Sequence, residues 1–274
     1  MSGPTVSGVR SGRADLHIHT VASDGTADVV SIIERAAADP TLDVIAITDH
    51  ERVDAALAGR ALALDRGLAV EVVVGEEVTT LGGHLLALYI DRPIRPYRTL
   101  RTTIADVHAA GGIAIPAHPL VPYPLCAQGW VLRRLLDDPD PAVHPDALET
   151  FNPTALGRPW HDRVVRFADR HGLAHVGNSD AHALAAIGSG WTTFEGRTAA
   201  DLRVAIAAGR TDHGGSFHGT TGQVGVFGRQ LRKRAIDARD EVVGRVRRSG
   251  TGRDHGYPGG RARPPRFDRD EDGR

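Results

Sequence analysis

The sequence predicts an α/β fold of repeated βα units around a largely parallel sheet, and three observations carry that reading. Apolar runs rich in Val, Ile and Leu recur from residue 14 to residue 194, with helical patterns between them. The 274 residues are 41% hydrophobic, enough for one large core, and α/β barrels of this length are commonly single domains. Histidines and carboxylates recur where those runs stop, and in a parallel barrel the strand carboxyl ends are where functional groups gather.

The strand candidates are 14–18, 43–48, 70–75, 84–90, 112–116, 147–151, 174–178 and 191–194, most of them reading as buried on both faces. After the first, Val29, Ile32, Ile33, Ala36 and Ala37 fall at helical spacing, with Asp28, Ser31, Glu34 and Arg35 on the other face and Thr26 as the expected N-cap. Further helices are expected near 53–66, 98–110, 128–137, 158–171 and 198–208, each ending near a Gly or Pro. One pair breaks the alternation. Only Thr79 to Gly83 separates the run ending at Val78 from the run beginning at His84, too short for a crossover helix, so an antiparallel hairpin is expected. That hairpin puts His84, which begins its strand, on the same face as Glu77.

Residues 1–13 read as a flexible N-terminus, 14–213 as the barrel and 214–274 as a tail. In the tail, 229–248 forms a possible short charged helix, and the Gly, Arg, Pro and Asp of 249–274 bury too little apolar surface to fold alone. Net charge is −1, so nothing global steers the chain to nucleic acid or an anionic membrane. The single cysteine, Cys126, excludes an internal disulfide framework. With no signal-peptide-like or membrane-spanning run, the expectation is a soluble cytoplasmic protein without a membrane partner.

His17 and His19 share one side of a strand, a good nitrogen pair for Zn, Mn or Fe, with Ile18 facing away into packing. Asp24 follows in a turn. His50 closes a second strand after Asp49, which reads either as a ligand or as an acceptor fixing an imidazole tautomer. Of Glu76 and Glu77, alternation lets only one face the mouth, and Glu77 is chosen. His118 lies between Ala117 and Pro119, and Asp180 and His182 repeat the period-two spacing near the end of the barrel. These six imidazoles and three carboxylates exceed what one metal needs, so two or three are implied.

His17-Ile18-His19-Thr20, Ser23-Asp24-Gly25, Ile47-Thr48-Asp49-His50, Gly75-Glu76-Glu77, Gly83-His84, Ala117-His118-Pro119 and Ser179-Asp180-Ala181-His182 together resemble the PHP (polymerase and histidinol phosphatase) family of metal-dependent phosphoesterases. The resemblance runs in order over roughly 14–210. It implies a distorted seven-stranded (β/α) barrel with a trinuclear site at the C-terminal face of the strands. It further implies a first metal on His17, His19, Glu77 and Asp180, a second on Glu77, His84 and His118, and a third on Asp24, His50 and His182. The implied cofactors are two or three divalent ions, Zn, Mn or Fe.

The expected activity is hydrolysis of a small organic phosphate, nucleotide or short oligonucleotide by metal-activated hydroxide, as a phosphomonoesterase or phosphodiesterase, with no other catalytic group. Asn152 and Arg158 follow the strand that carries Glu149, on the same face, and are the candidate substrate contacts. Two readings compete. An amidohydrolase also uses His-x-His on a first strand, but many binuclear ones need a carbamylated lysine, and the only lysine is Lys233, in the tail. A nucleic-acid binder using the Arg-rich stretch 229–248 is weakened by Asp237, Asp240 and Glu241 within it.

Overall fold

In the computed structural model, residues 11–154 and 157–217 are described. The expected tail helix, 229–248, and the rest of the chain after 217 lie outside them. All eight expected strands form: β1 (Ser11–Ile18), β2 (Val44–Ile47), β3 (Glu71–Thr80), β4 (Gly83–Leu88), β5 (Ile113–Pro116), β6 (Ala147–Phe151), β7 (Ala174–Gly177) and β8 (Gly190–Glu195). A ninth, β9 (Thr211–Gly215), was not expected, and it carries Gly214 and Gly215 into the fold from what the sequence assigned to the tail. β1 likewise starts at Ser11, inside the stretch read as flexible.

Six helices lie between the strands: α1 (Val29–Ala37), α2 (Asp54–Asp65), α3 (Leu100–Ala109), α4 (Gly129–Leu136), α5 (His161–His171) and α6 (Ala199–Ala207). The N-cap of α1 is Asp28, whose carboxylate accepts from Ser31 N–H, not Thr26. Thr26 instead donates its hydroxyl to the His182 carbonyl at 2.8 Å, tying the turn after β1 to the segment after β7. No described helix is long and apolar enough to cross a membrane.

Seven strands form one curled sheet in the order β5-β4-β3-β2-β1-β8-β9, and β6 and β7 form a separate parallel pair. The molecule is thus a mixed α/β half-barrel rather than a ring of seven continuous ladders. The gaps in the ring are spanned by a few isolated bonds rather than by ladders. At one seam Asp146 N–H donates to the Ala114 carbonyl at 3.0 Å, and Ala114 N–H to the Asp146 carboxylate at 2.7 Å. At the other, Leu16 N–H donates to Asn178 Oδ1 at 3.0 Å, and Ile18 bridges Ala181 in parallel.

That second seam explains why the sheet opens. Residues Ser11 to Ala14 of β1 pair antiparallel with β8, whereas its carboxyl half faces the chain after β7. The register between β1 and β2 also shifts between Asp15 and Ile18. Leu16 packs in the inner cluster with Val44, Ala46 and Val73, and Ile18 in the outer one with Ile45, Ile47 and the helices. A bulge between them reverses the alternation and lets His17 and His19 face inward although Leu16 does too. Leu202, Ala205 and Ile206 of α6 close the inner cluster.

β3 and β4 form the expected hairpin, with Leu81 and Gly82 as the turn. Gly83 has φ +124°, and a Cβ there would stand 2.4 Å from Ala127 N, so only glycine fits. The chain then returns along the outer edge of β3, where Tyr97 N–H donates to the Thr79 carbonyl at 2.7 Å and Leu81 N–H to the Arg98 carbonyl at 2.8 Å. Pro93 and Pro96 have no N–H to extend that pairing into a ladder.

Candidate metal centre

β3 supplies the middle of the site. Glu77 is buried, and five imidazoles surround its carboxylate. Oε2 stands 3.4 Å from His17 Nε2, His19 Nε2 and His50 Nδ1, while Oε1 stands 2.6 Å from His84 Nδ1 and 3.1 Å from His118 Nε2. Asp180 Oδ1 lies 3.5 Å from His17 Nε2, His19 Nε2 and His182 Nδ1. Asp24 completes the set: Oδ1 is 3.1 Å from His182 Nε2 and 3.6 Å from His19 Nδ1, and Oδ2 is 3.6 Å from His50 Nε2.

All nine side chains expected as ligands therefore meet at one place, His84 among them because the hairpin returns it there. Their tightest groupings are His17, His19 and Glu77; His19, Asp24 and His182; and His50, Glu77 and His84. His50 thus sits between Asp24 and Glu77, one ring nitrogen toward each.

The donor spacing fits metal ions. Two ligand atoms each about 2.1 Å from one tetrahedral ion stand about 3.4 Å apart, which is the separation of Glu77 Oε2 from three imidazole nitrogens. Nε2 of His17, His19, His84 and His182 is buried and makes no hydrogen bond, although carboxylates surround the first two. Buried polar atoms are ordinarily satisfied, so four convergent imidazole nitrogens left unbonded match a set of lone pairs aimed at cations.

Electrostatics point the same way. Burial alone would raise the Glu77 carboxyl, but His84, His50 and His17 beside it hold it well below the usual carboxylate range. Burial would raise Asp180 too, and His17, His19 and His182 hold it well below. His17 goes up despite its burial, driven by Asp180, Glu77 and Glu149, whereas burial and the neighbouring His182 push His19 down to about 4. The carboxylates are poised as anions that need positive charge nearby.

Behind the ligands stand groups that brace them. Asp49 is one of these: it accepts from Thr20 N–H and the Thr20 hydroxyl, each at 2.7 Å, and from the Ser23 hydroxyl, fixing the loop that carries Asp24. Cys126 Sγ lies 3.2 Å from His118 Nδ1. Glu149 on β6 contacts His17 Nδ1 at 3.0 Å and accepts from His118 N–H at 2.6 Å. Sequence reasoning passed over its role, although an acid in the middle of an apolar run, Ala147 to Phe151, was the available signal.

The two expected substrate contacts part company. Asn152 is buried, with its amide 3.2 Å from both Glu149 Oε2 and Asp180 Oδ2, so it faces the centre's supports. Arg158 is exposed, and its guanidinium stands 5.5 Å over the Phe217 ring rather than against any of the nine clustered groups. His108 bridges the Ala142 carbonyl and Asp146, and His175 pairs with Asp169, both away from the cluster.

A curled α/β half-barrel with six histidines and three carboxylates packed at one mouth defines a metal-site protein of the barrel-derived class. The profile of the PHP-associated family (PHP_C) matches residues 158–211. An uncharacterized protein of Methanocaldococcus jannaschii is 31% identical over 121 residues, which span 40% of this chain and 69% of that one. Among solved structures, a two-domain protein of Bacteroides vulgatus containing a predicted PHP-like metal-dependent phosphoesterase superposes with a TM-score of 0.63 at 17% identity, over 84% of this chain and 72% of that one. An amidohydrolase of Chromobacterium violaceum with bound sulfate and no metal superposes with a TM-score of 0.54 at 20% identity, over 73% and 97% of the two chains. The chain belongs to the PHP-domain family.

Proposed function

We propose that this protein is a metal-dependent phosphoesterase acting on a small organic phosphate, nucleotide or short oligonucleotide. The observation that carries the reading is the convergence of nine buried or half-buried donor side chains, with Glu77 at their middle and separations that suit ions sharing ligands. His17, His19, Glu77 and Asp180 would hold a first divalent ion, Glu77, His84 and His118 a second, and Asp24, His50 and His182 a third. When bound, such ions acidify water near neutral pH and clamp phosphoryl oxygens.

The chain's own residues prepare that chemistry. Glu77 presents its two oxygens to two different sets of imidazoles, so it would be the ligand shared by the first and second ions. His50 links the Asp24 side to the Glu77 side. Asn152 supports Glu149 and Asp180 from behind, which leaves Arg158 as the candidate contact to a phosphate. Family membership supports the hydrolase class, and choice among mono- and diesters belongs to the experiment.

A second reading follows from the amidohydrolase neighbour. Residues 11–217 contain no lysine, so a carbamylated bridge is not available to them, and Glu77 would take the bridging role. The deciding test is metal analysis of the purified protein, followed by a panel of phosphate mono- and diesters, amides and lactones. Wild type is expected to carry divalent metal and to turn over at least one phosphate ester, and His17→Ala and Asp180→Ala to lose both properties. Turnover of amides or lactones alone would move the chain to the second reading, and a metal-free wild type matched by both variants would end the first.

A further inference from the structure

One buried acid touches the centre at several points without being among the nine donors. Glu149 is 1% exposed, and each of its oxygens has two partners. Oε1 lies 3.0 Å from His17 Nδ1 and accepts from the Asn178 amide at 2.8 Å. Oε2 accepts from His118 N–H at 2.6 Å and from the Asn152 amide at 3.2 Å. Asn178 in turn accepts from Leu16 N–H on β1, and Asn152 reaches Asp180.

We propose, resting on the metal-centre reading above, that Glu149 is a positioning residue that sets the ligand geometry of His17, His118 and Asp180 together. Its action on His17 is through the ring. A carboxylate against Nδ1 requires a proton there, which leaves the Nε2 lone pair for the side facing Glu77 and Asp180. Without that partner the two tautomers compete and the ring loses its fixed orientation.

Its action on His118 is through the backbone, and on Asp180 through the Asn152 amide, which donates to the Asp180 carboxylate. His118 has φ +31° and Asp180 φ +50°, both in the left-handed region that non-glycine residues avoid. Such conformations persist where the surroundings hold them. Glu149 braces the first directly through the His118 N–H, and the Asn152 amide that it accepts from orients the carboxylate of Asp180. One carboxylate on β6 therefore couples ligands that arrive from β1, the loop after β5 and the loop after β7. This also accounts for burying an anion where an apolar side chain would be cheaper to desolvate.

Glu149→Gln tests this, because its amide nitrogen must face either His17 Nδ1 or the donors His118 N–H and Asn152. The assay is Zn²⁺ affinity of chelator-treated full-length protein, by competition with a chromophoric chelator, alongside the melting temperature of the metal-free form. ¹⁵N NMR of the zinc-loaded protein reports which His17 ring nitrogen carries the metal. Glu149→Gln is expected to weaken zinc binding about 10–100-fold and to remove the uniform Nε2 ligation of His17. A purely structural role would lower the melting temperature and leave both the affinity of the folded protein and the Nε2 ligation intact.

If Glu149→Gln does not fold, Asn152→Ala carries the test, with zinc affinity expected to fall several-fold while His17 stays ligated through Nε2. Wild-type affinity in whichever variant folds overturns the proposal. Zinc binding with no turnover of any phosphate ester would defeat the phosphoesterase reading and leave this one standing, whereas a wild type that takes up no zinc would defeat both.

Discussion

Glu76 and Glu77 are consecutive residues of one strand, and the two faces of β3 make opposite acids of them. Glu77 faces five imidazoles, and they hold it ionised far below the ordinary carboxylate range. Glu76 faces outward into the packing between strand and returning chain. It accepts only the Ile94 N–H, its Oε2 has no hydrogen-bond partner, and burial pushes it up to about 8. Burial is nearly the same for both side chains. What differs is the supply of compensating charge, so desolvation wins on one face and Coulombic attraction on the other. On β3 the buried carboxylate that stays charged is the one for which imidazoles are gathered, which is why the inner mouth reads as a metal centre and the outer face does not.

The strongest way to break that contrast is Glu77→Gln, which keeps the shape and removes the charge. Zinc or manganese affinity should fall by more than the ~100-fold typical of losing an outer partner, and turnover of phosphate esters should fall with it, read by chelator competition and steady-state assay.

Glu76→Gln should leave metal content unchanged and act on stability instead. A carboxyl whose folded pKa of about 8 exceeds its ordinary value of 4.5 is protonated in the fold while the unfolded chain ionises, so wild-type stability falls as pH rises across that window. The slope is at most ~1.4 kcal/mol per pH unit. Glutamine cannot ionise and still offers an oxygen to Ile94 N–H. Thermal melts should show the variant gaining on wild type from pH 5 to pH 8 and then holding level; parallel curves would refute the assignment.

Histidines repeat the contrast at smaller scale. His213 of β9 stacks against His175 and Phe151 over the β6–β7 pair, and burial, with His161 and His175 nearby, lowers its pKa despite Asp212 and Asp169. A depressed histidine is neutral in the fold, so the stability it contributes is present above its ordinary value of 6.5 and is lost as pH falls below it. His213→Phe should reduce the acid sensitivity of the melting temperature between pH 6.5 and 5, by about 1 kcal/mol or less for a group still partly exposed. An unchanged acid limb would mean that the stacked layer does not bear on stability.

Much of this was legible in the sequence because parallel strands end in functional groups. The eight apolar runs mark eight strands, and the short link between Val78 and His84 marks the hairpin that returns His84 to Glu77. Strand alternation lets only one of Glu76 and Glu77 face the mouth, and the fold turns Glu77 inward. Alternation was not enough at β1: Leu16 and His17 both face inward across a bulge, and nothing in those residues announces it. β9 was hidden because Thr211 to Gly215 is polar and glycine-rich, held by pairing with β8 rather than by its own burial. Asn152 looked like a substrate contact because its position on the mouth face was readable, whereas the direction of its amide depends on Glu149 and Asp180, which only folding brings near.

The most direct test of the account is the divalent metal bound per chain in Glu77→Gln and Glu76→Gln, purified side by side with wild type and measured by elemental mass spectrometry. The two-faced strand predicts wild-type metal content in Glu76→Gln and little or none in Glu77→Gln. Equal metal in the two variants would contradict it.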